Sequence, residues 1–568
     1  MKHLLKVAVA VFAVIAAISM QAKAQTVVLT GLGSSAYFLE SGLGANYSSG
    51  LIKASCVWSE NTSTVTAKDT SVSPAATDTG NAWVAWTTGT GGSCAAPASD
   101  SKIYAYLQTD SVVGNRCLFN SSTCKITYPN TDPASAGLIL GTSSEVNLPT
   151  AVANLLNAAT VNFAGSDIRP EDAEFAITRA TTACNTAIVT GSQYRGLGYS
   201  NGNQIGSYNY NQAGTGSYFN VVKFTLPSSF SVTIVGATPI VVAANGTGIS
   251  AGNISAQTLA DLLDGTYSYT GQVSSSPAPT GSALWVYLRE PLSGTYNTME
   301  YNIPNTTTAK TSQDVGVNQP SAQVNCSGTV PKGLVAGSSP AAYDLNISTT
   351  SGGARQRQIG TGAELKAIVT NANSNSLGYG FWSVANFAGF TAAAAPHAKY
   401  LEIGGVDPLL KSGVAYTGTI PVSGTTELSD VDLHTTADGT YPIWSLLRLV
   451  TVTSAATTAA ENLASATDDF VSFGSTNSRP DFVTPVNMNV VRSHFTPPGI
   501  GFTATLINGD SQLNDGLSAC SNLPESGGDV GGVILSIYSP NPFNGHEDDN
   551  DWCSTTGNNT NGQTGLRN

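Results

Sequence analysis

Three short stretches of the 568-residue chain place hydroxyl residues and glycine directly behind an apolar run. The first is Gly31-Leu32-Gly33-Ser34-Ser35, behind residues 27–29. The second is Gly165-Ser166-Asp167, behind residues 160–163. The third is Arg289-Glu290-Pro291-Leu292-Ser293-Gly294-Thr295, behind residues 283–288. A helix opening at each stretch offers unpaired backbone N–H groups at the positive end of its dipole, which is the chemistry of an anion site. For the first two stretches a plain turn and a helix cap are the competing readings. The third is more specific. Arg289 brings a planar fork that matches an oxyanion, Ser293 and Thr295 add hydroxyls, and Gly294 allows close approach of the backbone. Asp167, ionised, only accepts hydrogen bonds, so it suits an anion that still carries a proton.

Other chemistries find less support in the residues. The chain has no zinc-like histidine spacing and no C-x-x-C pair. Ser34, Ser35 and Ser293 have no histidine near them in sequence; His397, His434, His494 and His546 are scattered. The acidic run at 547–551 lacks the glycine and terminal glutamate of a regular calcium loop and reads as a solvated tail. The expectation is a binding protein with no catalytic residues, no metal and no cofactor.

The elements that would position these residues alternate between strand and helix. Thr150 reads as the N-cap of a helix carrying Val152, Leu155, Leu156 and Ala159 at helical spacing. Residues 160–163 read as a strand, and Pro170-Glu171-Asp172 as a second helix start. Residues 232–244 form an apolar strand or strand pair, 255–263 a helix and 283–288 a strand. Further on, 363–370 read as a helix, 377–385 as a second helix or helix entry, and 441–453 and 533–538 as strands. Residues 191–218, 303–355 and the tail from 541 are polar and loop-like. Residues 45–145 are irregular, with strand-like runs only at 82–86 and 103–107, and read as a disulfide-stapled insertion outside the core. No internal repeat is visible. This mixture predicts an α/β fold.

The chain starts as exported proteins do. Lys2 and Lys6 precede an apolar run at 7–18, and Ala22-Lys23-Ala24 is a small-x-small cleavage site. The run is too short to span a membrane, and no later stretch is long enough. Cleavage after Ala24 predicts a periplasmic or secreted protein. Of the 24 basic residues, Lys2, Lys6 and Lys23 fall in this leader, leaving 21 against 37 acidic ones. That balance disfavours nucleic acid as a partner. It does not exclude an anion held by a few aimed donors. All eight cysteines follow the leader, and an even count in an exported chain predicts disulfides. Proximity favours Cys117–Cys124, then Cys56–Cys94 and Cys520–Cys553, with Cys184 and Cys326 left unassigned.

Along its length the chain resembles the periplasmic phosphate-binding protein of bacterial phosphate ABC transporters, a type II periplasmic-binding fold. Gly31-Leu32-Gly33-Ser34-Ser35 is similar to that family's first glycine-rich loop, although Ala36 stands where an aromatic is usual. Residues 160–167 resemble its strand and Ser-Asp turn. The stretch ISAQTLADLLDG at 254–265 resembles the helix that opens its second lobe. Arg289 and Ser293-Gly294-Thr295 match its R-x-x-x-S-G-T spacing. Leu377-Gly378-Tyr379-Gly380-Phe381 and Tyr441-Pro442-Ile443 resemble two later segments. The resemblance implies phosphate contacts from Ser35, Asp167, Arg289, Ser293, Gly294 and Thr295. It also implies one from Thr150, which stands where the family has a serine in a Ser-Ser-Gly-Gly turn.

The implied architecture is two-lobed. Residues 1–24 are the leader, 25–250 lobe one with the insertion near 45–145, 251–400 lobe two, and 401–568 a return to lobe one with a C-terminal extension. The implied function is to bind inorganic phosphate, or a related oxyanion, between the lobes for ABC-type uptake, with a transporter permease as partner. The alternative is an extracellular surface or scaffold protein on the same fold, using the cysteine-bearing insertion and the tyrosine-rich loop at 191–218.

Overall fold

The computed structural model describes residues 25–168, 229–303, 354–474 and 481–492, apart from short gaps, with a few isolated positions and strand pieces at 199–200, 203–204, 345–346 and 534–536. The leader, the 191–218 loop, most of the 303–355 stretch, nearly all of the helix expected from Pro170, Cys184, Cys326, Cys520, Cys553 and the acidic run at 547–551 lie outside the described residues.

The α/β class expected from the sequence is what the structure shows. Its strands, in chain order, are β1 (Thr26–Gly33), β2 (Cys56–Glu60), β3 (Thr66–Asp69), β4 (Ala76–Thr79), β5 (Ala82–Trp86), β6 (Lys102–Gln108), β7 (Cys124–Thr127), β8 (Phe163–Ser166) and β9 (Ser231–Asn245). They continue with β10 (Trp285–Arg289), β11 (Leu345–Asn346), β12 (Ala354–Gln358), β13 (Ser376–Phe381), β14 (Ala398–Tyr400) and β15 (Trp444–Thr451). The helices that bear on the site are α1 (Phe38–Asn46), α2 (Ser111–Phe119), α3 (Thr150–Ala158), α4 (Ala256–Leu263), α5 (Gly294–Asn302), α6 (Thr361–Thr370), α7 (Val384–Phe387) and α8 (Ser454–Asp469).

One 12-stranded sheet runs β11-β12-β10-β13-β9-β15-β8-β1-β6-β5-β2, with β14 also on β9. It contains the same five-strand arrangement twice. In one half β6, β1 and β8 run parallel, followed by β15 and β9 in antiparallel pairings. In the other β12, β10 and β13 run parallel, followed by β9 and β14 in antiparallel pairings. The apolar run at 232–244 is therefore one strand rather than a pair, and it serves both halves. Ser231 to Pro239 pair with β15, and Ile240 to Asn245 pair with β13. Pro239, which has no N–H to give to a ladder, stands where the partner changes.

Two expectations need correction. Residues 45–145 are not a peripheral insertion as a whole, because β2, β5 and β6 belong to the main sheet, and Trp58, Trp83 and Trp86 are fully buried. The β5 sequence, AWVAW, has no polar alternation because both of its faces are covered. Only β4-β3-β7 form a small separate sheet. The second correction concerns residues 377–385. They do not open a helix: Ser376–Phe381 is a strand buried at every position, and only the four-residue α7 follows. Two glycines in LGYGF disfavour a helix, and pairing on both edges settles the strand. The strand expected at 160–163 starts at Phe163 and ends at Ser166.

Two disulfides are present among the described residues, Cys56–Cys94 and Cys117–Cys124. They agree with the pairing expected from proximity. The first ties the start of β2 to the loop after β5, and the second ties the end of α2 to β7. No described helix is long and apolar enough to cross a membrane.

Candidate anion site

The site forms where strands of both halves end and turn into helices. After β1 the chain turns at Ser34, whose hydroxyl caps a short 3-10 turn, Ser35–Tyr37, that leads into α1. Gly33 makes the turn possible: its φ of +144° is open to glycine, and a Cβ there would lie 1.9 Å from the Gly165 carbonyl. After β6 the chain passes Asp110 into α2. After β8 comes Asp167. In the other half β10 ends in Arg289, and Ser293 caps α5 by accepting from the Tyr296 N–H at 3.3 Å. Thr361 begins α6.

These residues meet across the two halves. Arg289 Nη2 lies 2.5 Å from Asp110 Oδ1. Its Nη1 donates to Thr361 Oγ1 at 2.5 Å and to Thr295 Oγ1 at 3.4 Å. The Ser35 and Thr361 hydroxyls are 3.0 Å apart. The Ser111 hydroxyl donates to the Asp167 carboxylate, and the Ser445 hydroxyl donates to the Asp167 carbonyl at 2.5 Å. Tyr106, on β6, donates its phenol proton to the Ser34 carbonyl at 2.8 Å. Arg289 is 1% exposed and Asp167 2%, so the charges act in a poorly solvated place where they are strongly felt.

Burial pushes the Asp167 carboxyl up to about 6. The Ser111 hydrogen bond, its own backbone N–H, Arg289 and Arg448 pull the other way and keep it from rising further. Arg448 lies on β15, opposite Ser166. Asp167 thus sits near its midpoint at mildly acidic pH, able to hold or accept a proton.

Gly294 is a point of close contact between the halves. A Cβ built on it would lie 1.6 Å from Asp167 Oδ1 and 2.4 Å from Asp167 Cγ. The carboxylate cannot swing away cheaply, because Ser111 holds it and the surroundings are packed. Gly294→Ala is therefore expected to cost about 1–3 kcal/mol of overpacking strain. It should lower the melting temperature and raise the radius of gyration measured by X-ray scattering as the halves are pushed apart. Unchanged values of both would show that the contact is not limiting.

Of the residues singled out from sequence, the structure brings together Ser35, Asp167, Arg289, Gly294 and Thr295, with Ser293 as the cap of α5. It does not bring Thr150 to them. Thr150 is exposed at the first turn of α3, after Pro149 at the cap position, and its hydroxyl donates to the Asn130 carbonyl at 3.0 Å. The place beside Asp167 belongs instead to Ser111. The reason is topological: β6 lies next to β1, so the turn after β6, and not the start of α3, reaches the strand ends.

Sequence reasoning missed Asp110, Ser111 and Thr361. A signal exists for the first two: Thr109-Asp110-Ser111 follows the apolar run at 103–107 in the pattern of the other three stretches. Assigning that run to an insertion hides it. Thr361 follows Gly360, whose φ of +84° marks the turn into α6, two residues ahead of the helix start expected at 363.

No protein-family model matches the chain, and no curated protein matches it. Among solved structures, the chain is similar to the phosphate-binding protein from Stenotrophomonas maltophilia, at 16% identity and a TM-score of 0.27, over 61% of this chain and 71% of that one. It is similar to the ancestral soluble variant of the human phosphate binding protein, at 14% identity and a TM-score of 0.31, over 67% and 83%. It is also similar to an ABC-type phosphate transport receptor from Vibrio cholerae, at 12% identity and a TM-score of 0.25, over 44% and 73%.

Proposed function

We propose that this chain is an exported solute-binding protein of the two-lobed, type II periplasmic-binding kind. Its lobes close on a small oxyanion, with inorganic phosphate the first choice. The observation that carries the reading is the packing of the Asp167 carboxylate against Gly294 at the N-terminus of α5, beside Arg289. An anion at this junction would take donors from Arg289, the Ser35, Ser293, Thr295 and Thr361 hydroxyls, and the first N–H groups of α5. The strand order supports the two-lobed part, with β9 as one of the connections about which lobes would rotate. Residues 1–24 support export, and a transporter permease is the partner the reading implies.

Binding rather than catalysis fits the hydroxyls. Ser35 is engaged with Thr361 and Ser293 with the Tyr296 N–H, and neither partner could activate a nucleophile.

Titration calorimetry and thermal shift with phosphate, arsenate, sulfate, phosphonates and sugars test the reading. Phosphate at 100 times its dissociation constant should add about 2.7 kcal/mol of stability. No shift with any oxyanion would overturn the proposal. Selectivity tests the role of Asp167. Sulfate has no proton to give a carboxylate, so a buried acceptor faces its lone pairs at a cost of about 1–3 kcal/mol. Asp167→Asn is expected to narrow the preference for phosphate over sulfate by about tenfold or more. An unchanged ratio would remove Asp167 from that role.

A further inference from the structure

Asp110 occupies the N-cap position of α2 with an extended backbone, φ −123° and ψ 156°, yet its side chain makes no capping hydrogen bond. An aspartate at that position ordinarily turns back onto its own helix. Here the carboxylate reaches across to the other half of the molecule and meets Arg289 Nη2 at 2.5 Å, with Asp110 5% exposed. The neighbouring residue, Ser111, binds the Asp167 carboxylate. The junction therefore holds two carboxylates, after the strands on either side of β1 in one half, with the Arg289 guanidinium of the other half beside them.

The charges facing this place can be named. Asp110 and Asp167 are the acids, and Arg289 and Arg448 are the bases. Tyr106 lies beside both carboxylates, and burial together with Tyr37 and the two acids holds its phenol protonated. The Tyr379 hydroxyl accepts from the Arg289 backbone N–H at 3.4 Å. Arg116, further along α2, is taken by Asp69 and Asp78 at 3.3 and 2.7 Å. With both acids ionised, the charges at the junction cancel. A dianion would then enter a buried place with no surplus positive charge. A monoanion brings half that burden.

Hydrogen-bond chemistry points the same way. Both carboxylates are acceptor-only when ionised. An oxyanion with two acidic protons can supply one to each, and an oxyanion with one proton leaves a carboxylate facing lone pairs.

We propose, resting on the oxyanion reading above, that Asp110 is a specificity-determining residue that makes the site select the singly charged, doubly protonated form of its ligand, dihydrogen phosphate, over the hydrogen phosphate dianion. Asp110 does this by cancelling the charge of Arg289 from the opposite half and by adding a second acceptor beside Asp167.

The test is calorimetric titration of inorganic phosphate into the leader-free chain between pH 5 and pH 9. If only the monoanion binds, affinity falls about tenfold per pH unit once phosphate has lost its second proton, near neutrality and above. Asp110→Asn keeps the shape of the side chain, removes its charge and offers an N–H to the anion. It is expected to flatten the alkaline limb to less than about threefold per pH unit. The contribution of Asp167 at mildly acidic pH should persist in that variant. A flat alkaline limb in the wild-type chain overturns the proposal without any variant, so the test survives if Asp110→Asn does not fold. The same steep limb in a folded Asp110→Asn variant overturns it as well. Absence of phosphate binding at every pH would instead defeat the oxyanion reading on which it rests.

Discussion

Arg289→Gln is expected to abolish oxyanion binding and to destabilise the protein, and the two effects are separable. Arg289 provides a guanidinium that spans both halves, through Asp110 on one side and Thr361 and Thr295 on the other. Loss of a two-pronged, charge-assisted donor should weaken phosphate binding by about a hundredfold or more. The same change strands Asp110 as a buried, uncompensated charge, and breaking a buried pair from one side costs about 3–5 kcal/mol. Replacing Asp110 with asparagine in the same chain removes that stranded charge. The double variant should recover much of the melting temperature and none of the binding. Chemical denaturation and calorimetry on the two single variants and the double one separate the terms. An Arg289→Gln protein that still binds phosphate within about threefold would refute the arrangement proposed for the site.

The second large effect concerns acidity and stability. Glu40 on α1 and Asp481 are both buried, and burial raises both carboxyls above the usual range, with the Asp481 charge adding to the rise at Glu40. Asp481 accepts from the Val384 N–H at 2.9 Å, and its carbonyl accepts from the Thr238 hydroxyl at 2.8 Å, so it sits against the partner-switching point of β9. Burial, with Asp469 beside it, also pushes Asp468 up to about 8. Such carboxyls keep protons in the folded chain at pH values where the unfolded chain has released them. Stability is therefore greatest in mild acid and falls as pH rises toward about 8. One proton retained between pH 5 and pH 8 corresponds to as much as about 4 kcal/mol. Denaturant titrations across that range should show the decline, and Asp481→Asn should flatten it and raise stability at the alkaline end. Stability that climbs from pH 5 to pH 8 would contradict an origin in these buried carboxyls.

Much of this was legible in the residues. Gly33, Asp167, Arg289, Gly294 and Thr295 were identifiable because a strand end that turns into a helix needs glycine, a cap and a donor in a fixed order. Thr150 was misplaced for a reason that spacing cannot reveal. Which turn reaches Asp167 depends on sheet order, and it is the one after β6, on the far side of β1 from β8. Residues 45–145 look peripheral because serine, threonine and glycine dominate between the strands, while the strands themselves are short. The doubled strand order left no trace as a sequence repeat. Each half needs only buried apolar strands in the same order, and many sequences meet that need. The partner of Asp110 is hidden for a similar reason: an aspartate before a helix predicts a cap, and only the fold brings Arg289 to it.

The strand shared by the two halves has a consequence for how the chain can be divided. Cut the gene near the middle of β9, and β15 is parted from both of its neighbours, β8 and residues 231–239. Each fragment would expose a raw edge of unsatisfied N–H and C=O groups flanked by apolar side chains, the surface on which chains aggregate. The halves are therefore not modules that can be expressed, shuffled or fused singly. A circular permutant should place its new ends in an exposed loop, such as Gly404-Gly405, and leave residues 231–245 whole.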